Sequence, residues 1–565
     1  MLLQAPRISP GVSPHDFMHD THHQPILIVG GGTGGVAAAL AVARGGQRCL
    51  LTEPTDWIGG QLTSQAVPPD ENRWIEGKDG VVSATASYLE FRRRVRQWMR
   101  SHRRLTDAAR QDGYLNPGNG WVSHLCLEPA VGHAVLMDML APHVASGAVA
   151  IWHHREPVAA DVEGDRVRAV TLRDIRNDER TTVTADYIID ATELGDLLPL
   201  TGAEYHVGAE HRDVHGELHG RTDRTDPFDQ QAISWCFAMT HHPDADHTIG
   251  QPQGYDFWRS FVPEMDDPWP GPLFSWTVCG ENNAPRHLPM TPWPDEPTGD
   301  KWELWRYRRI VDRSLHQDDA SKHAAPPDVS LVNWVQMDYF LKPTLDVGAE
   351  AQATAFAEAR QQSLCFFYWM QTEAPRNDGG VGYPGLQLRG DELGTDDGFA
   401  KAPYIREARR LAALTMLTET HLGAEQRRAA GHPDVAELGI PAAATFADSV
   451  GIGHYHLDLH PSTAGRNSLY VPAAPFQIPL GSLIPQRLTN LLAGAKNFGV
   501  SHIANGCTRL HPVEWNVGEA AGQLAAWCLS HGLPPHQVHA DADQLPTFRQ
   551  HLTEAGFVLS WPWDA

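Results

Sequence analysis

The 565-residue chain reads as an α/β protein whose main lobe is assembled from both ends of the sequence, and three observations predict that class. An apolar strand at 25–29 runs into Gly30-Gly31-Gly32-Thr33-Gly34-Gly35 and a small-residue helix at 36–44. Short alternating runs at 148–153, 157–162, 166–173 and 181–190 follow as strands. Near the other end, a glycine-bearing strand at 491–497 leads to a helix start at 511–522.

The first element carries a dinucleotide fingerprint. Gly30 permits the tight turn, Gly32 lets backbone approach a diphosphate, and Gly35 lets the helix pack close to the strand. Thr33 and Gly34 complete the loop, and the helix N-terminus offers free N–H groups to phosphate. A second strand at 48–52 ends at Glu53, about twenty residues on, where an acid holds a ribose hydroxyl. A bare glycine turn is the plain alternative; the flanking strand and helix favour the dinucleotide.

The residues after Glu53 narrow the choice. Gly59-Gly60-Gln61-Leu62 resembles the paired-glycine motif that follows the second strand in many FAD enzymes. Ala191-Thr192-Glu193 at the end of the 181–190 strand resembles the strand-plus-Ala-Thr element of the glutathione-reductase-like flavoprotein fold, within the FAD/NAD(P)-binding superfamily. The 491–497 strand and 511–522 helix resemble that fold's last flavin-binding strand and the helix facing the flavin pyrimidine ring. Four elements in the right order identify the chain as similar to the FAD-dependent oxidoreductase family. The resemblance implies FAD as cofactor, a Rossmann-like FAD-binding lobe with an inserted mixed α+β cap, and an adenine contact from the backbone near Val158. It also implies that amides near Trp515, Asn516 and Val517, in the last helix's first turn, stabilise reduced flavin. Two departures stand out. Glu193 replaces the glycine that many relatives carry after Ala-Thr, and Ala495 to Asn497 replace an acid that contacts the ribitol, a role Asn497 or a backbone amide could take.

Composition bounds the rest. Charged residues make up 20% and hydrophobic ones 42% of the chain, as in ordinary globular proteins. A formal charge of −24 opposes nucleic-acid or anionic-membrane partners, and no apolar run reaches a membrane-spanning length. The seven cysteines are scattered without a Cys-x-x-Cys pair, against a redox disulfide or an iron–sulfur cluster and in favour of a reducing, cytoplasmic setting. Expected divisions are a flexible arm at 1–24, FAD-lobe segments at 25–201 and 448–530, a substrate cap at 202–447, and a C-terminal helix and tail at 531–565. Helices are expected at 83–100, 127–143 and 402–421. Arg92, Arg93, Arg94 and Arg96 read as a solvated helix face.

Catalytic candidates lie in three places. His454, His456, Asp458 and His460 alternate along 453–460, so a strand would bring them to one face, as a proton-handling group, a metal site or a polar surface. Asp458 and His460 are the preferred pair, and no metal is assigned. His502 and Arg509 lie between the last flavin strand and the final helix; the histidine is catalytic or structural, and the arginine binds an anion or a protein carboxylate. Tyr383 and Arg389 in the cap face substrate or belong to a surface loop.

The activity expected is FAD-dependent oxidation of a small organic substrate by hydride transfer to the flavin, with electrons passing to oxygen or another acceptor. Redox-neutral FAD chemistry (an isomerase or hydratase) and flavin monooxygenation are the enzymatic alternatives. A non-catalytic flavin-binding protein is the remaining one. Substrate, acceptor, covalent attachment and oligomeric state are not legible in the chain.

Overall fold

The computed structural model describes residues 23–78, 80–280, 283–292, 303–318 and 324–564. The expected arm, apart from residues 23 and 24, therefore lies outside the described residues.

The first lobe is built on a seven-stranded sheet. Strand β1 (His23–Val29) leads through the glycine turn into helix α1 (Thr33–Arg44), and β2 (Cys49–Glu53) follows. Helices α2 (Ala86–His102) and α3 (Pro129–Ala145) precede β3 (Val149–His153), and β4 (Arg155–Glu163), β5 (Arg166–Asp174) and β6 (Arg180–Asp190) complete this half. The pairs β3–β2, β2–β1 and β1–β6 are parallel, whereas β6–β5 and β5–β4 are antiparallel. Buried on both faces, β1 and β2 need near-continuous apolar runs, which 26–29 and 49–51 supply.

An antiparallel cap sheet comes next, from β7 (Phe237–His241), β8 (Arg309–Val311), β9 (Val329–Val332) and β10 (Leu386–Leu388), in the order β8-β9-β7-β10. The long helix α4 (Ala349–Thr372) shares a hydrophobic core with it, through Phe237, Val332, Phe366, Phe367 and Leu386.

The chain then returns to the first lobe. Two hairpins form from β11 (Ser449–Gly453), β12 (Leu457–Leu459), β13 (Leu469–Val471) and β14 (Phe476–Pro479), pairing β11–β14 and β12–β13. Strand β15 (Leu491–Ala493) adds parallel to β6 across 491–493 and 188–190. Helices α5 (His502–Thr508) and α6 (His511–His531) follow. A Cβ at Gly518 would lie 2.0 Å from the Gly34 carbonyl oxygen and one at Gly522 2.5 Å from that of Ala38. Glycine thus lets α6 cross α1 backbone to backbone, and the two chain ends share one core reaching from Ile26 to Ala203 and from Leu411 to Phe557.

Three expectations fail. No helix spans 402–421; that stretch is extended, with a bridge from Tyr404 to Ser234, the short strand Arg410–Leu411, and a helix only at Glu419–Leu422. Its arginines serve partners on separate elements, Arg406 reaching Ala232 and Ser234, Arg409 reaching Asp346, and Arg410 pairing with Glu210. The face of α2 is only partly solvated, because Arg92 and Arg96 are buried on Glu71 and Glu76. Finally, 454–456 separates β11 from β12, so the alternation along 453–460 does not run as one strand.

Candidate functional site

Two loops are sewn together at the mouth of the parallel sheet. The Thr33 hydroxyl donates to Gly59 O at 2.9 Å, and Gly59 N donates to Gly31 O at 2.7 Å. Gly59 has φ +114°, a left-handed conformation that favours glycine, and Leu62 is buried in the turn after it. A Cβ at Gly30 would meet Ala191 O at 2.2 Å, one at Gly35 Gly30 O at 1.9 Å, and one at Gly34 Gly494 O at 2.0 Å. These glycines pack backbone on backbone. Gly32 and Gly60 differ: their nearest neighbour is a side-chain atom, Glu193 Oε1, at 2.6 and 2.5 Å from the built Cβ positions.

Glu53 closes β2, buried, with Oε1 accepting from the Thr55 amide and hydroxyl at 2.9 and 2.7 Å. Burial pushes its carboxyl up to about 7. Thr192 turns back on Asp190 through its amide and hydroxyl, at 3.1 and 2.7 Å. The register between β4 and β5 skips Val158, which is half-buried.

A buried ionic cluster sits beside these loops. Lys496, fully buried, pairs with Glu193 and lies 3.6 Å from Glu514, which itself accepts from Gln61. Burial opposes its charge, yet Glu193 and then Glu514 hold the ammonium above its usual range. Burial pushes Glu514 up, with Lys496 acting against it. Two buried acceptor atoms, Gln61 Oε1 and Glu193 Oε1, lack a hydrogen bond among the described residues.

Two sequence-derived contacts are relocated by the geometry. Helix α6 begins at His511 with Pro512 in its first turn, so Trp515, Asn516 and Val517 stand beyond that turn. Their amides serve the i→i−4 ladder and are not free for an anion; the Trp515 ring is turned to Ser87 and the Asn516 amide to Val450 O. Asn497 spends its side chain on Asp190 O (3.0 Å) and the Ala495 amide (3.2 Å).

The second half of the site is a polar cluster between the lobes. His460 Nδ1 lies 2.6 Å from Asp338 Oδ2, and Nε2 lies 3.7 Å from Asp458 Oδ2. Asp338 also takes Arg406 at 2.9 Å and the Ser234 hydroxyl at 2.9 Å. Arg509 donates to Asp458 O (3.1 Å), Asp458 Oδ2 (3.3 Å) and the Tyr404 hydroxyl (2.9 Å). Burial works against both carboxylates. His460 and then Arg509 nonetheless hold Asp458 well below the usual range, and Arg406 with His460 does so for Asp338. Behind them, Arg308 pairs with Asp70 at 3.1 Å, and the Asp70 amide donates to His511 Nδ1. Since Nδ1 accepts, Nε2 of His511 carries the proton and donates to Val67 O; burial pushes this ring down to about 4.

His502 stands apart from this pair. Arg466 donates to its Nε2 at 2.8 Å, which leaves Nδ1–H for Glu407 at 3.2 Å. Both ring nitrogens are thus occupied. His454 packs edge-on to Trp74 and is pushed down to about 3 by burial, and His456 stacks on Tyr470. Of the four alternating residues, Asp458 and His460 meet as an ion pair, while the His454 and His456 rings lie 6.4 Å apart, centroid to centroid. In the cap, the buried Tyr383 donates to Met290 O and Arg389 pairs with Asp391 and Glu392. Sequence reasoning missed Asp338, Arg406, Arg308 and Asp70, which no local motif marks; Lys496 was visible only as a departure from an expected acid.

A glycine cradle, a buried acid at the tip of the second strand, and a last strand and helix from the far end of the chain define a dinucleotide-binding flavoprotein. The chain belongs to the FAD dependent oxidoreductase family, whose profile matches residues 25–552. Among solved structures it is similar to glycerol-3-phosphate dehydrogenase from Bacillus halodurans complexed with FAD, at 10% identity over 39% of this chain and 40% of that one, TM-score 0.22. It is likewise similar to THI4 of Thermovibrio ammonificans (16% identity, 34% and 67% covered, TM-score 0.22) and L-proline dehydrogenase from P. horikoshii (14%, 34% and 25%, TM-score 0.16). The chain thus covers about two fifths of the length of the first of these. No curated protein matches it. Its cradle fits the FAD of that family: Gly32 and Gly60 leave the approach free of Cβ atoms, and two unsatisfied acceptors border it. Among the described residues no helix is long and apolar enough to cross a membrane, and no group of three His, Cys, Asp or Glu could hold a metal ion.

Proposed function

We propose that the enzyme oxidises a small organic substrate at a C–H bond, with His460 receiving the proton released from the adjoining hydroxyl or amine. The observation that carries this reading is the Asp338–His460–Asp458 arrangement. A histidine whose Nδ1–H is held by one carboxylate keeps Nε2 as the basic nitrogen, and that nitrogen is the one beside Asp458. Asp338 orients the ring, Arg406 fixes Asp338, and Arg509 fixes Asp458. FAD, when bound, supplies a two-electron acceptor. Gly32, Gly60, Glu53 and the amides at the start of α1 would hold it, with Val158 lending backbone to the adenine; of those amides, that of Gly34 donates to Glu514 Oε1 at 3.4 Å. His502 is a positioning residue in this reading, because both of its nitrogens are engaged.

The lobes divide as the sequence suggests, a cofactor lobe from both ends and a substrate cap between them; the two largest hydrophobic cores support that division, and a smaller one joins Ala66 and Val67 to Cys236 and Leu331. Seven unpaired cysteines support a reducing, cytoplasmic setting. Reoxidation by oxygen or by another acceptor completes the turnover.

The test is anaerobic mixing of the purified holoenzyme with panels of alcohols, amines and hydroxy acids, following the visible flavin bands. Bleaching by one class, lost in His460→Gln without loss of FAD, supports the reading. A product no more oxidised than its substrate would instead point to redox-neutral chemistry.

A further inference from the structure

The two departures noted in the sequence, Glu193 where a glycine is expected and Ala495 to Asn497 where an acid is expected, turn out to be joined through Glu193 and Lys496. Glu193 follows β6, Lys496 follows β15, and the parallel pairing of those strands brings both to the same end of the sheet. Lys496 is fully buried and pairs with Glu193 Oε2. The other oxygen, Glu193 Oε1, is buried, has no hydrogen-bond partner among the described residues, and lies against Gly32 and Gly60. One carboxylate oxygen is therefore anchored while its twin is held bare at the cofactor cradle.

An ionised carboxylate only accepts hydrogen bonds. A diphosphate in its usual ionised form also only accepts, so the two cannot bond to each other. Within FAD, hydroxyl groups are the donors that suit a carboxylate. These come from two sources, the polyol chain on the flavin side and the ribose on the adenine side. The ribose end already has its acid in Glu53, whose Oε2 lies by Gly31 rather than Gly32.

We propose that Glu193, held in place by Lys496, accepts a hydrogen bond from a hydroxyl of the FAD polyol chain. The acid expected after the last strand has in effect moved to the loop after β6, and Lys496, within the stretch that replaces it, is the counter-charge. Lys496 is a positioning residue, since it acts on the cofactor through Glu193.

FAD and ADP affinities of the deflavinated full-length chain test this, by fluorescence titration and calorimetry respectively, beside thermal unfolding. Glu193→Ala is expected to weaken FAD binding about 10- to 100-fold, the range of a hydrogen bond to a charged group. ADP, which lacks the polyol, is expected to bind within about twofold of wild type. Glu193→Ala/Lys496→Met removes the pair and leaves Glu514 to Gln61 and the Gly34 amide; its FAD binding is expected to stay weak whatever its stability. Three results would overturn the proposal: unchanged FAD affinity in Glu193→Ala, an equal loss for ADP, or recovery of FAD affinity in the double variant. If the single variant fails to fold, the double variant against wild type decides the question alone.

Discussion

The glycine cradle and the His460 cluster are both parts of one active region, but they are made differently. In the cradle, backbone atoms are the contacts, whether close in sequence, as Gly35 against Gly30, or far apart, as Gly30 against Ala191 and Gly34 against Gly494. In the cluster, Asp338, Arg406, Asp458, His460 and Arg509 arrive from well-separated stretches of chain, and side-chain charges are the contacts. A backbone-shaped site tolerates no added volume. A charge-shaped site tolerates volume better than an uncompensated charge.

The largest effect should come from breaking the cradle. A Cβ at Gly35 falls 1.9 Å from a carbonyl oxygen that cannot move away, so Gly35→Val should cost at least about 3 kcal/mol and leave little folded, FAD-bearing protein, read by flavin absorbance and urea unfolding. Gly32→Ala meets carboxylate atoms of Glu193 and Glu514 rather than backbone, so it should fold and mainly weaken FAD.

The cluster should break in rate as well as in fold, because loss of the Asp338 charge also leaves the buried Arg406 without its carboxylate. Asp338→Asn keeps the shape but removes the charge opposite His460 and Arg406. It should slow flavin reduction by about 10²- to 10⁴-fold, the usual weight of general acid–base catalysis, with FAD content unchanged. Stopped-flow traces with the substrate found in the panel would check it; an unaltered rate would exclude His460 as the base oriented by Asp338.

Buried charge outside the active region sharpens the comparison. Arg92→Met leaves the buried Glu71 without its cation, while Glu76 keeps Arg96, and should destabilise by about 3–5 kcal/mol. Arg94, on the exposed side of the same helix with Glu90 and Asp138, should lose no more than about 1 kcal/mol on change to alanine. Equal effects in chemical denaturation would mean that the burial difference is immaterial.

A smaller effect concerns pH. Burial raises Glu53 to about 7 in the folded chain against an ordinary value of 4.5. The fold therefore binds its proton more tightly than the unfolded chain. This contribution is fully present below about 4.5 and is lost as pH rises through about 7. Glu53→Gln should accordingly gain stability relative to the FAD-free wild type between pH 5 and pH 8, seen as a pH-dependent gap between their urea midpoints. A constant gap would contradict the shift.

Legibility followed the same divide. Gly30, Gly32 and Gly35 could be read because a strand–turn–helix is a local event with a fixed spacing. Glu53 could be read because its place is set by the end of the next strand. The last helix opens at His511, as the 511–522 segment suggests, but its first turn ends before Trp515, Asn516 and Val517, which lie inside the ladder. The 402–421 helix was misread for another reason: its arginines look amphipathic in sequence but bind partners on separate elements. Asp338 carries no local signal at all.

What the amino-acid order determined alone was therefore the α/β class, the cofactor turn and the return of the far end to the first sheet, because hydrophobic period and glycine placement act over a few residues. Tertiary structure decided which charges meet. Asp458 and His460 adjoin in sequence, but Asp338 orients the ring across 122 residues, Arg509 reaches back 51, and Lys496 finds Glu193 303 residues away. Electrostatic pairing depends on distance in space and on exclusion of water, and neither exists until the two lobes have closed their cores.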